Sequence, residues 1–140
     1  MHLTGEFFPT IDANGRLAFP AKLREGLGER FYITLINEPF LVAMSEEEFE
    51  LLGEKIQNLP PEEASDMRRR VYPNAYLVEP DRQGRVSIPS TIRERSGVTN
   101  EVAVIGNWNR AEIWDKDTWT REQEVLADKS RSAEHKKVNL

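Results

Sequence analysis

Apolar and polar positions follow the same order in two segments of the chain, residues 12–25 (DANGRLAFPAKLRE) and residues 81–94 (DRQGRVSIPSTIRE). In both, polar and apolar residues alternate over four positions, as they do in a strand that buries one face. A proline then fits the first position of a short helix, where its missing N–H is not needed. The pattern therefore predicts the same unit twice: a tight turn, a strand and a short helix.

The two segments also share a polar signature, which makes them copies of one unit. Identical residues stand at an offset of 81 − 12 = 69, in the pairs Asp12 and Asp81, Gly15 and Gly84, Arg16 and Arg85, Pro20 and Pro89, Arg24 and Arg93, and Glu25 and Glu94. The apolar positions correspond as well, Leu17 with Val86, Phe19 with Ile88, and Leu23 with Ile92. An aspartate three residues before a glycine is a turn signal, because its carboxylate accepts from backbone N–H groups while glycine takes a positive φ.

The other apolar runs complete a β-β-α-β-β order in each half. The predicted strands are residues 3–8, 31–36, 40–44, 75–78, 102–105 and 111–114, with a turn at residues 37–39. Residues 3–8 are expected to be the hairpin partner of the strand that follows the first turn.

Two helices are predicted between the halves. Ser45 followed by Glu48 is a capping box, and apolar residues at helical spacing predict a helix over residues 46–58. A second helix begins near Pro61 and places arginines 68–70 in its last turns, an arrangement that the helix dipole favours.

A last helix is predicted after Asp115, its expected N-cap, and it is followed by a polar segment, residues 129–140, that we expect to fray. The chain is thus divided into a first repeat, a helical connection, a second repeat, and a C-terminal helix with its tail. The boundaries are residues 5–48, 49–74, 75–119 and 120–140.

Length and composition narrow the classes of protein. A chain of 140 residues with a duplicated unit suits two small halves that share one core. The absence of cysteine excludes disulfides and thiolate metal sites. No leader opens the chain, and no apolar run reaches the roughly 18 residues of a membrane helix. We therefore expect a soluble cytoplasmic protein with no membrane partner.

The formal net charge of −5 argues at first against a nucleic-acid partner, since phosphate contacts supply most of the non-specific affinity for DNA. The charge is segregated, however. Acidic residues are concentrated between Glu46 and Glu63, where they fit a solvated helix face, and arginines gather around the second copy, at positions 68, 69, 70, 82, 85, 93 and 95. Such a chain can present a basic face on an acidic body.

The repeated unit contains both structural and binding candidates. Asp12, Gly15 and their counterparts Asp81 and Gly84 are best interpreted as turn-forming residues. A turn needs no guanidinium after its glycine, so for Arg16 and Arg85 binding is preferred over a surface salt bridge, which contributes little. The basic residues Lys22, Arg24, Arg82 and Arg93 have no such preference, because surface helices and turns often carry them.

Signals of catalysis are nearly absent. His2 and His135 lie at opposite ends of the chain, and there is no glycine-rich phosphate loop or metal-ligand spacing. We therefore expect no enzyme, no catalytic residue, no metal, no cofactor and no small-molecule substrate. Trp108, Trp114 and Trp119 are interpreted as core or subunit-interface residues rather than base-stacking platforms. Arginines 68–70 are interpreted as helix-terminal and packing residues.

The duplicated D-x-x-G-R-φ-x-φ-P-x-x-φ-R-E unit resembles the DNA-binding module of the SpoVT-AbrB family. Two copies, a Leu-Pro break before an arginine-rich helix, and the sequences EPDRQGRVSIP and EIWDKDTW together resemble the MraZ family of bacterial transcriptional regulators, from Gly5 to Trp119. One departure is Asn14, where members of that family often carry lysine.

The resemblance implies an α+β fold in which the β-β-α-β-β units form an AbrB-like swapped-hairpin β-barrel with flanking helices. It further implies a cytoplasmic, nucleoid-associated, ring-shaped homo-oligomer. Such rings bind double-stranded DNA at tandem short G-rich repeats upstream of the operon for division and cell-wall synthesis, and they usually regulate their own gene. The family presents the positions of Asp12, Arg16, Asp81 and Arg85 at its DNA-facing surface.

The combined hypothesis assigns a role to each candidate. Arg16 and Arg85 read guanine edges in the major groove, turns held by Asp12 and Asp81 aim them, and the phosphates are contacted by Lys22, Arg24, Arg82 and Arg93. Two alternatives remain: an AbrB-like protein-interaction module of the antitoxin type, and a structural ring without specific DNA binding.

Overall fold

The structure is a computed structural model that describes residues 2–36 and 39–130. In these residues the chain forms eight strands and five helices. In chain order they are β1 (Glu6–Phe7), β2 (Arg16–Ala18), α1 (Ala21–Leu27), β3 (Phe31–Thr34), β4 (Phe40–Ser45), α2 (Glu46–Gln57), α3 (Pro61–Val71), β5 (Tyr76–Val78), β6 (Arg85–Ser87), α4 (Ser90–Ser96), β7 (Val102–Asn107), β8 (Arg110–Asp115) and α5 (Lys116–Ser130). The predicted α+β class and the duplicated order of elements are confirmed.

The strands form two antiparallel sheets. Six of them lie in the order β1-β7-β8-β4-β3-β5, and β2 pairs with β6 in a separate two-stranded ribbon. Leu17 lies opposite Val86 at the centre of this ribbon. Equivalent strands of the two sequence copies are therefore direct partners.

Strands are exchanged between the halves, which corrects one expectation. Residues 3–8 were expected to pair across the first turn, but Glu6 lies opposite Ile105 and Phe7 opposite Val104 of β7. Across the turn itself, only an isolated bridge joins Ile11 to Leu17. In the second half, β5 likewise pairs with β3 of the first half. The alternating pattern identifies a strand and its buried face, but so short a strand does not specify its partner.

The main core draws on both halves. Buried side chains from the ribbon, the short helices and one face of the large sheet meet there, among them Leu17, Leu23, Phe31, Ile88 and Ile113. The rings of Phe19 and Phe31 lie 5.0 Å apart. Because the first half supplies some of these residues and the second half the others, each half completes the core of the other.

The other face of the sheet is covered by α2 and α3. Val42 and Met44 of β4 pack there against Ile56 and Val71, and Leu41 and Ala43 of the same strand face the main core. Of the predicted capping box of α2, the Ser45 half is confirmed, since its side chain accepts from the backbone N–H of Glu48 at 3.1 Å. The Glu48 carboxylate instead accepts from the side-chain amide of Asn109 at 3.2 Å. The predicted turn at residues 37–39 lies largely outside the described residues.

The last helix packs through Trp119, which contacts Trp114 and donates its indole N–H to the Glu6 carboxylate at 2.8 Å. Asp115 precedes α5, as predicted for its N-cap, but its Oδ1 atom accepts from the backbone N–H and the hydroxyl of Thr99. Trp114 and Trp119 are buried, whereas Trp108 is 63% exposed at the tip of the β7–β8 hairpin.

Most of the predicted tail lies outside the described residues. Among those described, no helix combines the length and the apolar character needed to cross a membrane.

Candidate nucleic-acid interface

The first turn is closed by Asp12 in two ways. Its backbone carbonyl accepts from the N–H of Gly15 at 2.9 Å, and its N–H donates to the Arg16 carbonyl at 2.9 Å. Its Oδ1 atom accepts from the N–H groups of Asn14 and Arg16, both at 2.9 Å. Gly15 has a φ of +77°, a backbone conformation that is strained in residues with a side chain. These bonds fix where the strand that carries Arg16 begins.

The second turn repeats this geometry. The Asp81 carbonyl accepts from Gly84 at 2.8 Å, and its N–H donates to the Arg85 carbonyl at 3.0 Å. Its Oδ1 atom accepts from the N–H groups of Gln83 and Arg85 at 2.9 Å. Gly84 has a φ of +76°. Two turns that are 69 residues apart in sequence (81 − 12) thus have one hydrogen-bond pattern.

Both aspartates are held in the charged form. The hydrogen bond from the backbone N–H of Arg16 lowers the pKa of the Asp12 carboxyl below its usual value of 3.8. The hydrogen bond from the backbone N–H of Arg85 does the same for the pKa of Asp81, helped by the Arg85 guanidinium. Each turn therefore carries a fixed negative charge beside its arginine.

The ribbon brings Arg16 and Arg85 onto one surface. Leu17 and Val86 are buried, so the residues on either side of them point away from the core. Arg16 lies opposite Ser87, and Ala18 lies opposite Arg85, which places the two arginines diagonally across the same outer face. Two short strands from different halves thus place two arginines on one outer face.

The two arginines differ in their partners. The Nε atom of Arg85 lies 2.9 Å from Oδ2 of Asp81, and both side chains are about one-third exposed. Within the part of the chain that the structure describes, the Arg16 side chain has no carboxylate within 4.0 Å. Arg85 therefore forms the surface salt bridge that was weighed against binding from the sequence, and this ion pair occupies its Nε and not the two terminal nitrogens.

The remaining basic candidates form two groups. Lys22 on α1 and Arg82 in the second turn are exposed. Arg24 and Arg93 are partly buried, and each donates its Nε–H to the carbonyl at the end of the preceding strand, Phe19 at 3.0 Å and Ile88 at 3.1 Å. The sequence pattern places all four residues on the surface, and nothing in it separates these two groups.

Tyr76 also lies beside Arg16 and Arg85, and it was not predicted from the sequence. Its hydroxyl donates to the Ser87 carbonyl at 3.2 Å, and it lines a hollow beside the ribbon together with Arg16 and Arg85. Burial raises the pKa of the Tyr76 hydroxyl above its usual value, so it remains a hydrogen-bond donor. The one available signal was an aromatic residue in the strand before the second turn.

The lowered pKa values of the turn aspartates predict a pH dependence of stability. Because the folded-state pKa of Asp81 lies below 3.8, the ionised carboxyl stabilises the fold above that pH, and the contribution is lost as the pH falls through the folded-state value. We expect Asp81→Asn to lose less unfolding free energy than the parent protein between about pH 6 and about pH 2, as measured by denaturant titration.

Asp12→Asn is the matched comparison, since Asp12 has the same backbone bonds but, among the residues that the structure describes, no such ion pair. Asp12→Asn should also make the free energy of unfolding less dependent on pH than it is in the parent protein. A parent-like pH dependence in both variants would contradict the stabilising role of the two carboxylates.

Most of the chain matches known proteins. A family model described as "MraZ protein, putative antitoxin-like" matches residues 2–70 and again residues 71–139. The transcriptional regulator MraZ of Acetivibrio thermocellus is 40% identical over 133 residues, which cover 93% of this chain and 90% of the relative. The proteins of the same name from Caldicellulosiruptor bescii and Ligilactobacillus salivarius are 40% and 39% identical, over 86% and 90% of this chain and 85% and 87% of their own lengths. The two segments matched by the family model correspond to the two halves with the repeated unit.

Proposed function

The chain belongs to the MraZ family, and from this premise we propose that it is a sequence-specific, DNA-binding transcriptional regulator. The relatives named above are called transcriptional regulators, which supports the assignment. The observation that carries it is the outer face of the ribbon, where Arg16 and Arg85 lie diagonally across two paired strands.

The ribbon suits the major groove. That groove admits a two-stranded β-ribbon, and arginine bonded through two nitrogens to the O6 and N7 atoms of guanine is its commonest specific contact. In our proposal Arg16 and Arg85 make these contacts. The Asp81 carboxylate occupies only the Nε of Arg85, so both terminal nitrogens remain for a guanine edge.

Phosphate contacts are proposed for Lys22, Arg24, Arg82 and Arg93. Such contacts set the position of the protein on the duplex without reading sequence. Lys22 and Arg82 are exposed and keep their whole charged group for this purpose. Arg24 and Arg93 have only their terminal nitrogens to offer, because a carbonyl accepts from each Nε.

A single ribbon reads only a few base pairs, so useful affinity requires several subunits on one DNA. We propose a ring-shaped homo-oligomer on the nucleoid that engages tandem short G-rich repeats. They would lie upstream of the operon for division and cell-wall synthesis, including the protein's own gene. Linked subunits raise one another's effective concentration at regularly spaced sites. A net charge of −5 is compatible with this scheme, since each subunit then needs few phosphate contacts.

The experiment is a fluorescence-anisotropy titration against the protein's own upstream DNA, beside the same DNA with its repeats scrambled, at near-physiological salt. We expect clear preference for the intact repeats. Equal, weak binding to both would favour an interaction module of the antitoxin type, and no binding to either would favour a structural ring.

Repeating the titration at several salt concentrations tests the phosphate contacts. The logarithm of the affinity should fall linearly with the logarithm of the salt concentration. Each phosphate contact should add roughly −0.9 to the slope of that line. Lys22→Ala should therefore give a shallower slope with unchanged discrimination between the two DNAs. A slope equal to that of the parent protein would remove Lys22 from the interface.

A further inference from the structure

Arg24 and Arg93 reach from one half of the chain to the turn of the other. A Cβ atom built on Gly84 would lie 2.8 Å from the guanidinium carbon of Arg24, so this group occupies the place of a side chain at Gly84. A Cβ atom on Gly15 would lie 3.5 Å from a terminal nitrogen of Arg93. Arg24 thus lies directly against the glycine of the opposite turn, and Arg93 lies over the other glycine at a distance that leaves room for a Cβ atom.

The backbone connects the same positions. The N–H of Phe19 donates to the Gly84 carbonyl at 2.9 Å, and the carbonyl of Phe19 accepts from the Nε of Arg24 at 3.0 Å. The N–H of Ile88 donates to the Gly15 carbonyl at 2.8 Å, and its carbonyl accepts from Arg93 at 3.1 Å. One residue at each strand end therefore joins the opposite turn to the arginine that covers it.

This contact requires arginine. The planar guanidinium can lie flat on a glycine while its Nε–H bonds a carbonyl beside it, whereas the ammonium of lysine is a compact point charge without that geometry. Lysine preserves the positive charge that a phosphate contact needs. The Arg→Lys substitution therefore removes the contact with the glycine turn and keeps the positive charge that attracts a phosphate.

We infer that Arg24 and Arg93 are positioning residues that act across the halves, Arg24 on the turn that aims Arg85 and Arg93 on the turn that aims Arg16. The DNA-binding part of this inference rests on the proposed function, and the turn-holding part does not. Loss of Arg24 leaves Gly84 uncovered directly before the strand of Arg85. Arg85, the arginine proposed to read a base, then follows a turn that is less restrained.

Hydrogen exchange followed by mass spectrometry tests the inference without DNA. In Arg24→Lys we expect amides of residues 81–86 to exchange about fivefold faster, the effect of one lost hydrogen bond on local opening, and residues 12–17 to be unchanged. Arg93→Lys should give the opposite result, with faster exchange at residues 12–17. Arg69→Lys is the matched control, because Arg69 is exposed on α3 and belongs to neither turn, and it should change the exchange of neither segment.

The same variants in the DNA titration give the second readout. Arg24→Lys should reduce discrimination between intact and scrambled repeats about fivefold or more, with the salt slope unchanged because the charge is kept. Parent-like exchange in residues 81–86 would overturn the inference, as would parent-like discrimination in a protein that binds the repeats. If the exchange effects cross between halves and the parent protein shows no preference for the repeats, the proposed function fails and the turn-holding role remains.

Discussion

The double substitution Arg16→Ala and Arg85→Ala is expected to abolish the preference for intact repeats while the fold is retained. Each bidentate contact to guanine contributes about 1–3 kcal/mol of discrimination, so two lost contacts amount to a factor of roughly 30 or more per subunit. Stability should change little, since the Arg85–Asp81 ion pair is about one-third exposed, and such pairs contribute at most about 1 kcal/mol. Anisotropy titrations of both DNAs and thermal unfolding measure the two quantities.

Arg69→Ala is the control for loss of a positive charge elsewhere on the protein. Arg69 is an exposed arginine on α3, and its ion pair with Asp66 spans 3.8 Å. Its removal subtracts one positive charge away from the ribbon and should leave discrimination unchanged. If the double variant still prefers intact repeats as strongly as the parent protein, then the ribbon does not read the bases.

The local parts of the fold could be predicted because short-range chemistry determines them. The Asp-x-x-Gly spacing predicts both turns, and Ser45 with Glu48 predicts the start of α2. The pairing of β1 could not be predicted from its own residues. A strand of two residues, Glu6 and Phe7, has too little pattern to specify a partner, and the choice of β7 follows from the core that both halves build together.

The candidate site was predictable in its residues but not in its contacts. The duplication singles out Arg16 and Arg85, yet their proximity arises only when β2 pairs with β6 across 85 − 16 = 69 residues of sequence. From the sequence, Arg24 and Arg93 are indistinguishable from ordinary residues on a helix surface. Their contact with the opposite turn depends on strand exchange, and nothing in their spacing indicates it.

The core that the two halves share also determines whether the two repeats can fold separately. We propose that the two repeats, residues 5–48 and 75–119, are units of sequence that fold as one cooperative unit. The described core supports this, since Leu17 of the first half packs in the same cluster as Val86 and Ile113 of the second. All three tryptophans of the chain lie in the second half, at positions 108, 114 and 119. Their fluorescence therefore comes from the second half, where Trp119 is hydrogen-bonded to Glu6 and Trp114 stacks on Phe40 of the first half.

Leu17→Ala should lower the free energy of unfolding by about 3–5 kcal/mol, the range for removing a fully buried leucine side chain. Because the core is shared, this change in the first half should shift the tryptophan fluorescence transition and the far-UV circular dichroism transition together, at fixed protein concentration. Leu77→Ala, the same substitution at a 41% exposed position on β5, is the control and should cost far less. Separate transitions, or an unshifted fluorescence midpoint in Leu17→Ala, would mean that the two halves fold independently.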